Sequence, residues 1–87
     1  MKRDELFKTA SSIISNDRQE DYGPAKDNFT STGKLWAQVL GVPVSPAQVA
    51  LCMVLLKIDR LRVTPDHEDT WVDILGYAAL GGEIATT

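Results

Sequence analysis

Residues 55–77 read LLKIDRLRVTPDHEDTWVDILGY, and this stretch decides the fold. It holds the end of one helix and the start of another. The apolar run Val49 to Leu56 gives way to Lys57, Asp59, Arg60 and Arg62, and cations in a last turn suit the negative end of a helix dipole. Thr64-Pro65 stops that helix, because a proline pushes the residue before it out of helical conformation. Asp66 is then the expected N-cap of a following helix, with Glu68 and Asp69 in its first turn. The link is short, so the two helices are expected to be antiparallel neighbours. That brings Lys57 and Arg60 toward Asp69 and Asp73.

Working outward, helix three is expected from Pro46 to about Arg62. Ser45-Pro46 opens it with a serine N-cap and a proline at the first helical position. It is apolar on nearly all sides through Leu56, which predicts the central, most buried helix. Cys52 lies inside this run and reads as a small buried hydrophobe. Helix four is expected from His67 to about Ile84, with an apolar surface of Trp71, Val72, Ile74, Leu75, Ala78 and Ala79, and with Gly76, Gly81 and Gly82 weakening it. His67, the lone histidine, is expected as a solvent-exposed first-turn residue and not as a zinc ligand, since no histidine or cysteine partner accompanies it.

Upstream, helix two is expected from Ala25 to Leu40. Pro24 opens it and Gly41 closes it at C′. Its apolar face is Phe29, Leu35 or Trp36, Val39 and Leu40. Gly33 sits mid-helix, either to admit another backbone or as a tolerated weakness. Helix one is expected from Lys2 to Ser15, with Leu6, Phe7, Ala10, Ile13 and Ile14 at helical spacing. Nothing else reads as a strand with a partner, so the expected architecture is an all-α bundle of four helices in a single domain, residues 1–87.

Composition narrows the function. The chain has 87 residues, 44% hydrophobic and 24% charged, with a net charge of −3. A domain this small buries only about 60% of its unfolded surface, which makes self-association an expected remedy. The negative balance argues against general nucleic-acid binding, which needs a basic face. The apolar runs are far shorter than the ~18 residues of a membrane span, and a cytoplasmic location in a bacterial host is expected. The single cysteine rules out an internal disulfide.

Two groups of residues carry candidate chemistry. In the first, Lys57 and Arg60 share one helix face, and Asp69, Asp73 and Tyr77 form a column on the next helix. They either make an inter-helix salt-bridge network or hold a charged ligand. As a ligand site, Lys57 and Arg60 grip phosphate while the aspartates orient them or bond to a sugar or base. Alternatively, Asp69 and Asp73 share a Mg²⁺. The second group is Arg18, Asp21, Tyr22, Gly23, Asn28 and Phe29. Arg18 offers a planar donor fork, Tyr22 a stacking face, and Asn28 paired donor and acceptor groups. The competing reading is a capped loop, with Tyr22 packed on the bundle.

The ordered set Asn16-Asp17-Arg18-Gln19-Glu20-Asp21-Tyr22-Gly23-Pro24, Asn28-Phe29, Leu35-Trp36, Leu56-Lys57-Ile58-Asp59-Arg60 and Asp69 through Tyr77 resembles a domain family of unknown function common in phages and prophages. More distantly it is similar to the nucleotide-modification-associated domain family, which shares the Tyr-Gly, Lys-x-x-Arg and Asp-x-x-Gly-Tyr elements. The resemblance implies a phage origin, a small helical fold and a link to nucleotides. A weaker likeness is to MazG-like all-helical nucleotide pyrophosphatases, in which Asp69 and Asp73 would echo one metal-binding element. Their first, carboxylate-rich element has no counterpart here, because the facing helix reads Val-Ala-Leu-Cys-Met-Val-Leu-Leu-Lys. The combined expectation is a phage-encoded, non-catalytic nucleotide binder that sequesters a host immune signalling nucleotide and needs no cofactor. The alternatives are a Mg²⁺-dependent pyrophosphohydrolase and a module that inhibits a host protein through helix two.

Overall fold

Each helix boundary follows from local chemistry. A computed structural model describes residues 1–17 and 23–87. Helix α1 spans Arg3–Ser12, α2 spans Ala25–Leu40, α3 spans Pro46–Val63 and α4 spans Glu68–Thr86. Helix α1 runs into a wider π-helical turn, Ile13–Asp17. No strand occurs among the described residues, and the architecture is an all-α bundle.

Helix α2 has the predicted bounds. It ends at Gly41, whose φ of +74° is the left-handed conformation that glycine adopts without steric cost, and the Gly41 N–H donates to the Ala37 carbonyl at 2.9 Å. Helix α3 opens as predicted on Ser45 with Pro46 at its first position. The cap is reciprocal: the Gln48 N–H donates to Ser45 Oγ at 3.1 Å, and the Ser45 N–H donates to Gln48 Oε1 at 2.8 Å. Both bonds satisfy amide groups that the helix itself leaves open. Ser45→Ala is expected to cost about 1 kcal/mol. Urea denaturation would measure it, and a loss below the error of the fit would mean the box is not formed in solution.

The N-cap of α4 is His67, not Asp66. The Trp71 indole N–H donates to the Pro65 carbonyl at 2.8 Å, and His67 Nδ1 lies 2.9 Å from Thr70 Oγ1. These bonds set the chain's entry into α4 one residue later than the aspartate rule expects. His67 is exposed, as expected, and Thr70 is buried beneath it. At the other end of the turn the Thr64 N–H donates to the Arg60 carbonyl at 3.0 Å. The Met1 α-amino group meets Glu68 Oε2 at 2.8 Å and is thereby held above its ordinary range, which ties α1 to the start of α4.

The centre of the bundle is α4, which corrects the expectation for α3. Helix α4 buries Thr70, Val72, Gly76, Leu80 and Gly81, whereas α3 buries Val49 and Ala50. Helices α1 and α3 both pack on α4. Ile14 presses on Gly76 and Ala50 on Gly81: a Cβ on Gly76 would lie 3.1 Å from Ile14 Cγ2, and one on Gly81 would lie 2.6 Å from Ala50 Cβ. Of the three glycines that read as weaknesses in this helix, Gly76 and Gly81 are docking points, whereas a Cβ on Gly82 would meet nothing within 4 Å. The core is Ala25, Phe29, Val49, Ala50 and Leu80, flanked by Ile14, Trp36, Val44, Tyr77 and Ile84. So Trp36 packs inward and Leu35 faces solvent. Cys52 is exposed, not buried. A helix that is apolar all round reads as buried, but one small chain covers only one side of it.

Candidate functional site

Residue pairs at two levels of the bundle set how α3 meets α4. Lys57 lies against Asp73, and Ala50, two turns earlier on α3, lies against Gly81, two turns later on α4. Opposite progression along the two chains is the antiparallel arrangement predicted from the short link. It places the cationic end of α3 beside the acidic start of α4.

The Lys57–Asp73 pair is the centre of the site. Lys57 Nζ lies 2.9 Å from Asp73 Oδ2, with the lysine side chain 12% exposed and the aspartate 40%. The aliphatic stem of Lys57 fills the seam and its ammonium emerges at the rim. An ammonium carries three N–H donors, and Asp73 is its ion-pair partner among the described residues. Arg60 is exposed and has no ion-pair partner among the described residues, and the same holds for Asp69. Three residues along a helix turn the side chain by roughly 300°. Arg60 therefore points away from the line Lys57 takes into the seam. The closed four-charge lattice is not formed: one pair is made, and one cation and one carboxylate stand beside it. Arg62 bonds instead to Asp59 at 3.2 Å, both largely exposed. This i, i+3 pair within α3 is legible in the spacing.

Above Asp73 on the same face of α4 stands half-buried Tyr77. Its ring is 6.1 Å from that of Phe29, tilted by 30°. This contact brings the first turns of α2 alongside the Asp69–Asp73–Tyr77 column. Asn28, half-buried, donates its backbone N–H to the Pro24 carbonyl at 3.1 Å and precedes Phe29 on α2. One end of the second group thus adjoins the first. Arg18, Asp21 and Tyr22 lie outside the described residues.

Among the described residues no group of three or more histidines, cysteines or acidic side chains is arranged to hold a metal ion. Asp69 and Asp73 supply two carboxylates, and Asp73 is already opposed by Lys57. A cleft of about 200 Å³ lies at the far end of α4, lined by Pro24, Ala25, Lys26, Leu80, Glu83, Ile84 and Thr87, outside this constellation. No helix among the described residues is long and apolar enough to cross a membrane.

Comparison with known proteins sets this geometry in a family. The sequence profile described as Domain of unknown function (DUF6378) matches residues 5–85. The chain is 45% identical over 76 residues to the Gene 55 protein of Mycobacterium phage L5, covering 86% of this chain and 49% of that protein. It is 33% identical over 73 residues to the Gene 55 protein of Mycobacterium phage D29, covering 84% and 48%. The chain thus spans about half the length of these curated relatives. No solved structure matches it. The match over nearly its whole length, with both phage relatives, makes this chain a phage-encoded member of the DUF6378 family.

Proposed function

We propose that this chain binds a phosphorylated nucleotide and does not turn it over, acting as a sponge for a host signalling nucleotide. The observation that carries the reading is the partly unpaired charge cluster at the α3–α4 seam. Lys57 is held at the rim by a single carboxylate, and Arg60 has no carboxylate partner among the described residues. Beside the one closed pair, Arg60 and Asp69 have no ion-pair partner among the described residues, and the guanidinium's donors are what a phosphate would use, through charge-assisted hydrogen bonds. Half-buried Tyr77 stands next on the same face of α4 with aromatic surface for a base, and Asn28 and Asp69 carry groups of the kind that read base or sugar edges. Arg18, Asp21 and Tyr22 belong to the same proposal on sequence grounds. The likeness to nucleotide-modification-associated domains supports a nucleotide as the ligand, and the phage relatives support a role during infection.

The non-catalytic part rests on charge. Mg²⁺-dependent phosphate chemistry needs enough anionic ligands to hold the ion beside its substrate. Here the one carboxylate best placed for it is opposed by an ammonium at 2.9 Å.

Calorimetry of the full chain against cyclic and linear nucleotides tests the proposal. Binding to at least one is expected, and Lys57→Ala and Arg60→Ala should each weaken it by roughly 10- to 100-fold, the usual worth of a hydrogen bond to a charged group. Absence of binding across the panel, or unchanged binding in both variants, would overturn it. Release of pyrophosphate from nucleoside triphosphates with Mg²⁺, lost in Asp73→Asn, would assign the pyrophosphohydrolase alternative instead.

A further inference from the structure

The outer face of α3 is apolar and uncovered. Leu51 is 63% exposed, Leu55 65% and Ile58 50%. Their spacing of four and three residues makes one continuous stripe, on the side of α3 away from buried Val49 and Ala50 and from Lys57. Isolated exposed leucines are ordinary, but a contiguous stripe marks an interaction surface.

The surface area of the chain bears on what covers that stripe. A compact monomer of 9.5 kDa exposes about 5,000 Å², whereas this chain exposes 6122 Å². The excess is on the order of 1,000 Å², close to the roughly 800 Å² that each partner contributes to a standard interface. The radius of gyration, 13.4 Å, also exceeds the roughly 12 Å of a compact chain of this length.

The charge pattern of α3 selects the occupant and its orientation. From Pro46 to Leu56 the helix carries no charge, and Lys57, Asp59, Arg60 and Arg62 all fall in its last turns. Two α3 helices packed in parallel would set Arg62 against Arg62 and Asp59 against Asp59, like charges face to face. Packed antiparallel about Leu55, Leu51 meets Ile58 of the second copy, Leu55 meets Leu55, and Arg62 lies beside Gln48. No like charges meet, the helix dipoles oppose each other, and the same patch serves both chains as two-fold symmetry requires.

We propose that this chain is a homodimer whose seam is the α3 stripe Leu51, Leu55 and Ile58, packed antiparallel on a second copy. The seam lies on the opposite flank of α3 from Lys57, so nucleotide binding and dimerisation fail or hold independently.

Sedimentation equilibrium of the full chain at micromolar concentration tests it. The wild type is expected at twice the 9.5 kDa of one chain. Leu55→Arg should weaken association by roughly 100-fold or more, since it buries two unpaired charges at the axis, while Leu35→Arg on α2 should leave it intact. Helical content by circular dichroism establishes that each variant is folded. The double variant Cys52→Ser/Leu55→Cys supplies a second readout that introduces no charge. With diamide as oxidant it should give an intermolecular disulfide, whereas Cys52→Ser/Lys26→Cys should not. A monomeric wild type, a dimer undisturbed by Leu55→Arg, or a dimer broken by Leu35→Arg and not by Leu55→Arg would each overturn the assignment.

Discussion

Replacing Phe29 by alanine is expected to remove about 3–5 kcal/mol of stability, as for a phenylalanine lost from a packed core. Phe29 is 2% exposed and is much the largest side chain in a core otherwise made of Ala25, Val49, Ala50 and Leu80. Ala25, Val49 and Ala50 beside it are small, and Leu80 with the flanking Ile14, Trp36, Val44, Tyr77 and Ile84 can refill the space only in part. Part of the cavity therefore persists, and the loss falls within that range. A chain of this size has a total stability of roughly 4–13 kcal/mol, so the variant is expected to be largely unfolded or to melt about 15–30 °C lower. Phe29→Leu, which keeps most of the volume, should lose well under half as much. Thermal denaturation followed by circular dichroism measures both. A melting temperature for Phe29→Ala within a few degrees of the wild type would show that Phe29 does not bridge α2 to Tyr77 in solution.

The same residue illustrates what the sequence makes legible. Helix existence and order are readable because punctuation and periodicity agree: Ser45-Pro46 opens α3, Gly41 closes α2, and Thr64-Pro65 separates α3 from α4. The Lys57–Asp73 pair is readable for a geometric reason, since a short link leaves two long helices little choice but to fold back on each other. Pairing of individual charges is harder. Lys57 and Arg60 share a face by spacing, yet a swing of roughly 60° between them is enough to send one into the seam and the other to solvent. The contact of Phe29 with Tyr77 joins two groups of residues that are far apart in sequence, and no local signal announces it.

Burial was the least legible property. Hydrophobicity states that a surface wants covering and does not state what covers it. Helix α3 is apolar on nearly every side, which reads as the middle of the bundle, yet α4 holds that place because its small residues, Gly76 and Gly81, let α1 and α3 approach on different faces. The remaining apolar face of α3 is left outside, and Cys52 with it. The mistaken reading of α3 and the proposed dimer seam thus arise from one cause: the sequence encodes more apolar surface than a single copy encloses.

Gly33→Ala is expected to destabilise the chain by about 3 kcal/mol, against the direction that helix propensity dictates. In the middle of an exposed helix this substitution gains about 1 kcal/mol, because alanine loses less backbone entropy than glycine on folding. At Gly33 the added Cβ would lie 2.4 Å from the Val44 carbonyl oxygen and 3.5 Å from Val49 Cγ2. The obstructing atom is backbone, so no rotamer change relieves the clash. Nor is the connector free to retreat: Ser45, the next residue, holds the start of α3 through its reciprocal bonds with Gln48. Relief has to come from moving α2 off α3, which opens the core around Phe29 and Val49. Gly82 supplies the control, since a Cβ there meets nothing within 4 Å. Gly82→Ala should therefore stabilise the chain by up to about 1 kcal/mol. Urea titration of the two variants beside the wild type gives a comparison of sign as well as size. If Gly33→Ala matched or exceeded the wild type, the Val44 carbonyl could not be resting on α2, and the α2–α3 packing that carries Asn28 and Phe29 to Tyr77 would have to be redrawn.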